Sequence, residues 1–174
     1  MVSGPLLIKY INQIRHIHVK IGMIDSNHLI RYVIDDADSD RVEINAMDSD
    51  TIIGTIVLEI AYDAHTEFED AISNNEITED KVNQLFPNDI VPSIKHLKVI
   101  DGYRRLGIGD GLMNQALDYF ELNGPTTIYL NACPMGNDIS LDNLIGFYES
   151  YDFKPIIYGN YLSEEVNVEM VRAS

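Results

Sequence analysis

The sequence has 174 residues, of which 45% are hydrophobic, and its 28 acidic against 12 basic side chains give a formal net charge of −16. This length and apolar content are sufficient for one folded domain with a sizeable core. The strong negative charge argues against nucleic acid as a partner and favours a cationic amine or a basic protein surface.

Two further features of the composition limit the class of protein. No apolar run approaches the roughly 20 residues that a membrane-spanning helix requires, and Met1 to Leu7 lacks the features of a signal peptide. A single cysteine, Cys133, excludes an internal disulfide framework and a multi-cysteine metal site. We therefore expect a cytoplasmic protein with no membrane partner.

The first sixty residues favour β-strands. Runs rich in β-branched and aromatic residues alternate with polar turns, and the clearest hairpin signal is Asp48-Ser49-Asp50. The predicted strands are His16 to Ile21, Leu29 to Ile34, Arg41 to Met47 and Thr51 to Tyr62.

Helical signals follow between about residues 65 and 90. His65 to Ser73 has one helical pattern, and Thr78 is an N-cap with acidic residues in the turn after it. The sequence therefore predicts a strand-rich N-terminal half, 1–93, that contains a helical insertion.

The next segment, Ile94 to Leu117, is typical of a strand, a glycine-bearing turn and a helix. Leu97 and Val99 alternate with polar residues, and helical spacing begins at about Ile108. Gly107 and Gly109 lack side chains that would keep a ligand away from the backbone, and the N–H groups of a helix's first turn are unpaired. The turn therefore predicts an anion site, with phosphate as its natural ligand. The helix is predicted from Asp110 to Leu122.

Two common phosphate-binding motifs do not fit this turn. A P-loop places Gly-Lys-Ser/Thr at the helix start, where this chain has Gly109-Asp110-Gly111. The dinucleotide fingerprint requires a third glycine at the position of Leu112. The remaining pattern, Arg104-Arg105-Leu106-Gly107-Ile108-Gly109, resembles the Arg/Gln-x-x-Gly-x-Gly/Ala pyrophosphate loop of the GNAT N-acetyltransferases.

A downstream segment strengthens this resemblance. Leu141 to Phe153 is similar to the family's last helix, which typically ends in Phe-Tyr before a short turn and a Gly-Phe pair, although Asp152 replaces the glycine. Thr127 to Ala132 fits the strand between the two helices, and a closing hairpin is predicted from Lys154 to Tyr158 and Val166 to Val171.

The resemblance covers about residues 94–158, the predicted cofactor-binding half of a single domain, 1–174. It implies an α/β, GNAT-like acyl-CoA N-acyltransferase fold, with a single central mixed, mostly antiparallel sheet flanked by helices.

The resemblance also implies acetyl-CoA as the acyl donor. Backbone N–H groups in the turn would bind its pyrophosphate, Arg104 or Arg105 would add charge, and the preceding strand would contact the pantetheine arm and the thioester. The family asparagine that contacts the cofactor falls at Leu141, which leaves Asn137 or Asn143 as substitutes. The implied cofactor-binding residues are Leu97, Lys98, Val99, Arg104, Arg105, Leu106, Gly107, Ile108, Gly109, Asp110, Asn137 and Asn143.

Catalytic residues are implied in the same way. Tyr148 matches the tyrosine that protonates the departing thiolate in many family members, with packing of the helix on the sheet as the alternative role. Many relatives carry a glutamate as general base at the position of Ser93. Glu59 on the preceding strand is the substitute that we predict, with His96 as a weaker candidate.

Other chemistries have less support in the sequence. Cys133 has no histidine that could activate it as a nucleophile, and the five histidines show no pairing with acids at metal-ligand spacing, so no metal is expected.

The sequence therefore predicts an acetyl-CoA-dependent N-acetyltransferase that acts on a primary amine of a small cationic molecule or on a protein lysine or N-terminus. One alternative is a catalytically inactive GNAT-fold binding protein that engages a basic partner through its acidic surface. Another, an acidic mimic of nucleic acid, rests on charge alone. The helical insertion is either a cover for the acceptor cleft or a surface decoration. A homodimer through the apolar closing hairpin is also open.

Overall fold

The computed structural model describes residues 17–25, 28–36, 38, 40–61, 63–124, 127–134, 139–159 and 167–173. Strands and helices follow one another in the predicted order. They are β1 (Ile17–Asp25), β2 (His28–Asp35), β3 (Arg41–Asp48), β4 (Thr51–Glu59), α1 (Ala64–Ser73), α2 (Glu79–Leu85), β5 (Ser93–Val99), α3 (Ile108–Asn123), β6 (Thr127–Ala132), α4 (Leu141–Glu149), β7 (Lys154–Gly159) and β8 (Asn167–Ala173).

Some boundaries differ from the predicted ones. β4 ends at Glu59 rather than at Tyr62, and α3 begins at Ile108 rather than at Asp110. The early start of α3 is explained by Ile108, which is 1% exposed and anchors the first turn in the core. His16, Tyr62 and Val166 lie outside the described residues.

The chain divides into two compact units, and each is assembled from two segments. The first unit comprises Met1–Leu58 and His96–Asn123, and the second comprises Glu59–Lys95 and Gly124–Ser174. β5 contributes to both units because the boundary falls between Lys95 and His96. The predicted single domain stays a prediction.

The first unit contains the strand order β1-β2-β3-β4-β5, with antiparallel pairing of β1 with β2 and of β2 with β3. The predicted hairpin turn at Ser49 joins β3 to β4, and Ser49 has a left-handed φ of 56°. α3 packs on this sheet through a continuous apolar stripe. Its buried residues are Ile108, Leu112, Met113, Ala116, Leu117 and Phe120.

The second unit has the strand order β5-β6-β8-β7. β5 pairs with β6 in parallel, at Ser93 with Tyr129 and at Ile94 with Leu130. β8 is antiparallel to both β6 and β7. The predicted α/β fold class, with a mixed, mostly antiparallel sheet flanked by helices, is confirmed.

The helical insertion forms α1 and α2 in this second unit. Thr78 is the N-cap of α2, as predicted, and its hydroxyl accepts from the Lys81 N–H. Apolar side chains of the insertion pack in one core with residues of β6, β7 and β8. This core comprises Ala64, Phe68, Ala71, Ile77, Val82, Phe86, Val91, Tyr129, Ile157 and Val171. The insertion is therefore part of the unit's core.

Candidate active site

The turn between β5 and α3, which we call the glycine loop (Val99 to Asp110), has the backbone of an anion site. Arg105 and Gly107 adopt left-handed φ angles of 62° and 77°. Such residues orient successive N–H groups into a concave anion-binding turn, and the helix N-terminus adds unpaired N–H groups and a favourable dipole. A Cβ at Gly107 would meet no atom within 4 Å. The loop therefore fits a pyrophosphate bound by backbone groups.

Side chains fix the shape of the glycine loop. Arg104 Nε donates to the Val99 carbonyl oxygen at 3.2 Å, and Arg104 Nη2 lies 3.3 Å from Asp101 Oδ1. The Tyr103 hydroxyl donates to Asp48 Oδ2 at 2.8 Å, and this hydrogen bond raises the pKa of Tyr103. Arg105 is exposed. Arg104 therefore braces the loop, whereas Arg105 is the arginine whose side chain is open to solvent.

Two glycines that sequence reasoning missed bring α3 close to the sheet. A Cβ at Gly54 on β4 would lie 3.0 Å from Ile108 Cγ2 and 3.1 Å from Leu112 Cδ1. At Gly111, the position of a Cβ is occupied by the Tyr32 hydroxyl. Burial, followed by the charge of Asp110, raises the pKa of Tyr32. The only sequence signals were a glycine inside a strand and one in the first turn of a helix.

The strand before the glycine loop shows the predicted alternation. Leu97 and Val99 are half-buried, whereas Lys98 is exposed. Their contact with a cofactor stays a prediction.

The same holds for Asn143, which is exposed in the first turn of α4, where its N–H donates to the N-cap Ser140 Oγ at 3.3 Å. Asn137 lies outside the described residues.

Tyr148 lies in the second unit at the end of α4 and is 7% exposed. Its ring makes edge contacts with Phe147 and Phe153, with centroid distances of 5.3 Å and 6.2 Å. Burial raises the pKa of Tyr148 to about 12. The hydroxyl is therefore protonated at neutral pH, and the geometry is compatible with both the predicted proton donor and a packing residue.

The turn after α4 explains the glycine that the family places there. Asp152 has a left-handed φ of 67°, a region that glycine adopts at little cost. Asp152 N–H donates to the Glu149 carbonyl oxygen at 3.0 Å, and Phe153 N–H to that of Tyr148 at 3.3 Å. The backbone therefore retains the turn although the residue has changed.

Charged and polar side chains of the second unit form a group that we call the polar cluster. It comprises Glu59, Glu67, Lys95, Tyr129, Asn131 and Glu169. At its more exposed end, Lys95 Nζ lies 3.2 Å from Glu59 Oε2, 3.2 Å from Glu67 Oε2 and 5.9 Å from the Tyr129 ring centroid. Burial acts to lower the pKa of Lys95, but Glu67 and Glu59 outweigh it and raise that pKa. Glu59, the predicted base, is therefore an ion-pair partner of Lys95.

At the buried end of the polar cluster lies Glu169, which is 3% exposed. Asn131 Nδ2 donates to Glu169 Oε1 at 2.9 Å. Burial raises the pKa of Glu169 to about 7. Burial, with the nearby carboxylates of Glu169 and Glu67, also raises the pKa of Tyr129 far above its ordinary value. Sequence reasoning missed Glu169, whose only signal was an acid within an apolar strand.

The remaining candidates from the sequence are less involved. Ser93, at the family's glutamate position, is 1% exposed, and His96 and Cys133 are half-buried. Among the described residues, no three His, Cys, Asp or Glu side chains are grouped so that they could bind a metal ion. No helix in the described part of the chain is long and apolar enough to span a membrane.

Comparison with known proteins identifies the family. The model of the Acetyltransferase (GNAT) family matches residues 11–153 of the chain. The chain therefore belongs to the GNAT acetyltransferase family, and the resemblance found in the glycine loop and the last helix is confirmed. Among proteins of curated function, none matches the sequence.

Solved structures share the fold at low identity. PH1933 from Pyrococcus horikoshii OT3 has a TM-score of 0.53 and 20% identity, covering 76% of this chain and 64% of that chain. Arabidopsis thaliana NAA60 in complex with acetyl-CoA has a TM-score of 0.53 and 20% identity, covering 79% and 78%. Arabidopsis thaliana Naa50 in complex with the bisubstrate analogue CoA-Ac-MVNAL has a TM-score of 0.50 and 18% identity, covering 76% and 72%. At these identities the likeness shows the fold alone.

Proposed function

We propose that the protein transfers an acetyl group from acetyl-CoA to a primary amine, either on a small cationic molecule or on a lysine or N-terminus of a protein. The observation that carries this proposal is the glycine loop, where left-handed Arg105 and Gly107 precede the N-terminus of α3. Acetyl-CoA would supply the activated acetyl group. The backbone N–H groups from Arg105 to Asp110 would bind its pyrophosphate, with the exposed Arg105 adding positive charge.

The chain's own side chains support the remaining steps of the proposal. Tyr148, whose burial keeps the hydroxyl protonated at neutral pH, would protonate the thiolate that leaves. The acidic residues of the polar cluster and the net charge of −16 would attract a cationic acceptor. We further propose that the protein acts in the cytoplasm. Self-association through the closing hairpin stays a prediction.

A second candidate function is binding without catalysis. It is favoured by the pairing of Glu59 with Lys95 and by Ser93 at the position where many relatives carry a catalytic glutamate. A protein of this kind would keep the fold, bind CoA or a basic partner, and transfer no acetyl group.

Isothermal titration with acetyl-CoA and CoA tests the donor site. We expect Kd on the order of micromolar, weakened about 100-fold or more in Gly107→Trp because the indole would fill the turn. Gly124→Trp is the matched control, since Gly124 has a φ of 90° and no atom near its Cβ position but lies at the other end of α3. Equal loss in both variants would contradict a specific site at Gly107.

Turnover separates the two candidate functions. Release of CoA in the presence of basic peptides, polyamines and alkylamines, lowered strongly in Tyr148→Phe, would support acetyl transfer. Acetyl-CoA binding without transfer to any amine would instead favour the binding protein.

A further inference from the structure

Three buried side-chain oxygens in the second unit have no hydrogen-bond partner among the residues that the structure describes. They are Ser93 Oγ, Asn167 Oδ1 and Glu169 Oε2. The residues that carry them are 1%, 7% and 3% exposed. Buried polar atoms in folded proteins nearly always have a partner, so such a group indicates a bound water, a ligand or a chemical role.

Strand register places Glu169 beside a residue that borders solvent, and strand alternation places Asn167 on the same face as Glu169. Asn167 and Glu169 are two residues apart on β8, so their side chains project from the same face of the sheet. Glu169 is the register partner of Asn131 on β6. Asn131 is exposed, whereas Glu169 is buried. Glu169 therefore lies beside a residue that is open to solvent, and Asn167 is on the same face of β8.

The chemistry of these atoms selects the kind of ligand. Glu169 Oε1 is fixed by the Asn131 amide at 2.9 Å, while Oε2 is unpaired. Asn167 Oδ1 is a neutral acceptor on the same face. A ligand group that carries several N–H donors and no acceptor satisfies both atoms, and a primary ammonium is such a group.

The charges around Glu169 allow its carboxyl to change protonation near neutral pH. Burial raises its pKa to about 7, and the carboxylates of Glu67 on α1 and Glu76 after α1 act in the same direction. A hydrogen bond from the Tyr129 hydroxyl on β6 to the Glu169 carboxyl and the charge of the Lys95 ammonium on β5 act to lower it. A base with a pKa near the operating pH is suited to proton transfer.

This inference rests on the proposed acetyl transfer and deepens it. We propose that Glu169 Oε2 accepts a proton from the ammonium of the acceptor, while Asn167 Oδ1 accepts a second N–H of the same group. Glu169 is then a catalytic residue, and Asn131 is a positioning residue that keeps Oε2 available.

Protons and electron pairs are conserved in the proposed transfer. Loss of one proton to Glu169 gives a neutral amine, whose nitrogen lone pair forms the bond to the acetyl carbonyl carbon. The carbon–sulfur bond breaks with its electron pair on sulfur, and the Tyr148 hydroxyl protonates the thiolate. The nitrogen loses a second proton as the amide forms, and this proton restores the Tyr148 hydroxyl by way of solvent. Glu169 releases its proton to solvent, so one proton is produced in each turnover.

A pair of acceptors that differ in protonation tests the catalytic role. Butylamine is protonated at neutral pH and needs a base, whereas hydroxylamine is largely neutral and does not. In Glu169→Gln, kcat/KM for butylamine should fall about 100-fold or more at pH 8, while that for hydroxylamine stays within about fivefold of the unchanged protein. The pH dependence near 7 should also disappear for butylamine. Glu69→Gln, which removes an exposed carboxylate of α1, is the control and should change neither acceptor.

A purely structural role for Glu169 would lower transfer to both acceptors equally. That result, or unchanged transfer to butylamine in Glu169→Gln, would overturn the proposal.

A binding measurement decides the subsite independently of turnover. In protein labelled with ¹³C at glutamate carboxyls, the Glu169 resonance is identified by its loss in Glu169→Gln. Butylammonium should shift this resonance and lower the pH of its midpoint, because a bound cation favours the carboxylate. Asn167→Leu should weaken the apparent affinity about tenfold or more. Because this variant removes a buried unpaired acceptor, its Tm should be unchanged or higher. A loss of affinity at such a Tm cannot be attributed to a weakened fold.

The two proposals can fail separately in this design. If butylammonium shifts the Glu169 resonance but no amine is acetylated, the amine subsite stands and the acetyl transfer fails. A Glu169 resonance that does not respond to butylammonium indicates that water alone occupies the oxygens, and this overturns the subsite even if acetyl transfer is found.

Discussion

The glycine loop and the polar cluster take their functional groups from different parts of the chain. In the glycine loop, Arg105, Gly107 and the first turn of α3 offer backbone N–H groups that are almost consecutive in sequence. In the polar cluster, charged and polar side chains come from β4, α1, β5, β6 and β8. The comparison teaches that a site made of local backbone leaves a pattern in the sequence, whereas a site made of side chains from separate elements becomes visible only when the strand order is known.

The energetics of the two regions differ as well. Backbone groups of the glycine loop carry no net charge, and their cost is the left-handed conformation at Arg105. The polar cluster carries several ionisable groups at low exposure, so its cost is the removal of charge from water. The first region is therefore expected to be sensitive to side-chain volume and the second to pH.

The largest expected effect is the pH dependence of stability that Glu169 causes. Its pKa is about 7 in the folded protein and 4.5 in an unperturbed glutamate. Between these values the unfolded state ionises while the folded state stays protonated, so stability falls as pH rises. The interval corresponds to about 3 kcal/mol. The difference in the free energy of unfolding, Glu169→Gln minus the unchanged protein, should therefore rise by about 3 kcal/mol between pH 4.5 and pH 8.

Urea denaturation across this range measures the effect. Glu69→Gln should run parallel to the unchanged protein because Glu69 is exposed. Parallel curves for Glu169→Gln would mean that folding does not raise the pKa of Glu169, and the contrast between the two regions would be lost.

The next effect is steric and lies beside the glycine loop. Gly111→Ala should cost about 2 kcal/mol, because the new methyl group occupies the place of the Tyr32 hydroxyl. Tyr32→Leu in the same chain should recover much of this loss, and a double-mutant cycle of urea midpoints measures the coupling. Gly146→Ala is the control. Gly146 lies within α4 with open space around its Cβ position, so alanine there should add about 0.5 kcal/mol.

If Gly111→Ala proves as harmless as Gly146→Ala, then the close approach of Tyr32 to α3 does not constrain the start of that helix. The glycine loop would then depend on Gly54 and on its own hydrogen bonds.

Local features of the molecule could be predicted from the sequence, whereas contacts between distant residues could not. The order of strands and helices and the glycine loop were predicted because they depend on local periodicity and on consecutive glycines. Glu169 and Asn131 were missed because they are 38 residues apart and meet only through the antiparallel register of β6 and β8. Gly54 and Gly111 were missed for a similar reason, since the atoms that require a glycine belong to distant residues.

A smaller effect tests the exposed end of the polar cluster. Lys95→Met should cost about 1 kcal/mol, because Glu59 and Glu67 would face each other without their shared cation at side-chain exposures of 21% and 20%. The loss should shrink at high salt, which screens the repulsion. Glu67→Gln in the same chain should restore most of the stability.

Thermal denaturation at low and high salt measures both changes. Lys81→Met is the matched control, since Lys81 is exposed on α2 and its ammonium contacts Gln84 Oε1 rather than a carboxylate. A loss in Lys95→Met that is independent of salt would point to packing by the aliphatic chain of Lys95 rather than to its charge.

The smallest effect concerns the one family position where this chain departs from a local backbone signal. Asp152 has a left-handed φ of 67°, which a glycine adopts without a Cβ penalty. Asp152→Gly should therefore stabilise the protein by about 0.5 kcal/mol, because relief of strain in the folded state exceeds the entropy that glycine adds to the unfolded chain. Asp142→Gly, in the first turn of α4, is the control and should destabilise the protein by about 1 kcal/mol. Glycine is unfavourable within a helix, and the substitution removes a favourable negative charge near the helix N-terminus. If Asp152→Gly is instead destabilising, the carboxylate of Asp152 makes a compensating interaction, and the glycine of the family is not required by backbone conformation alone.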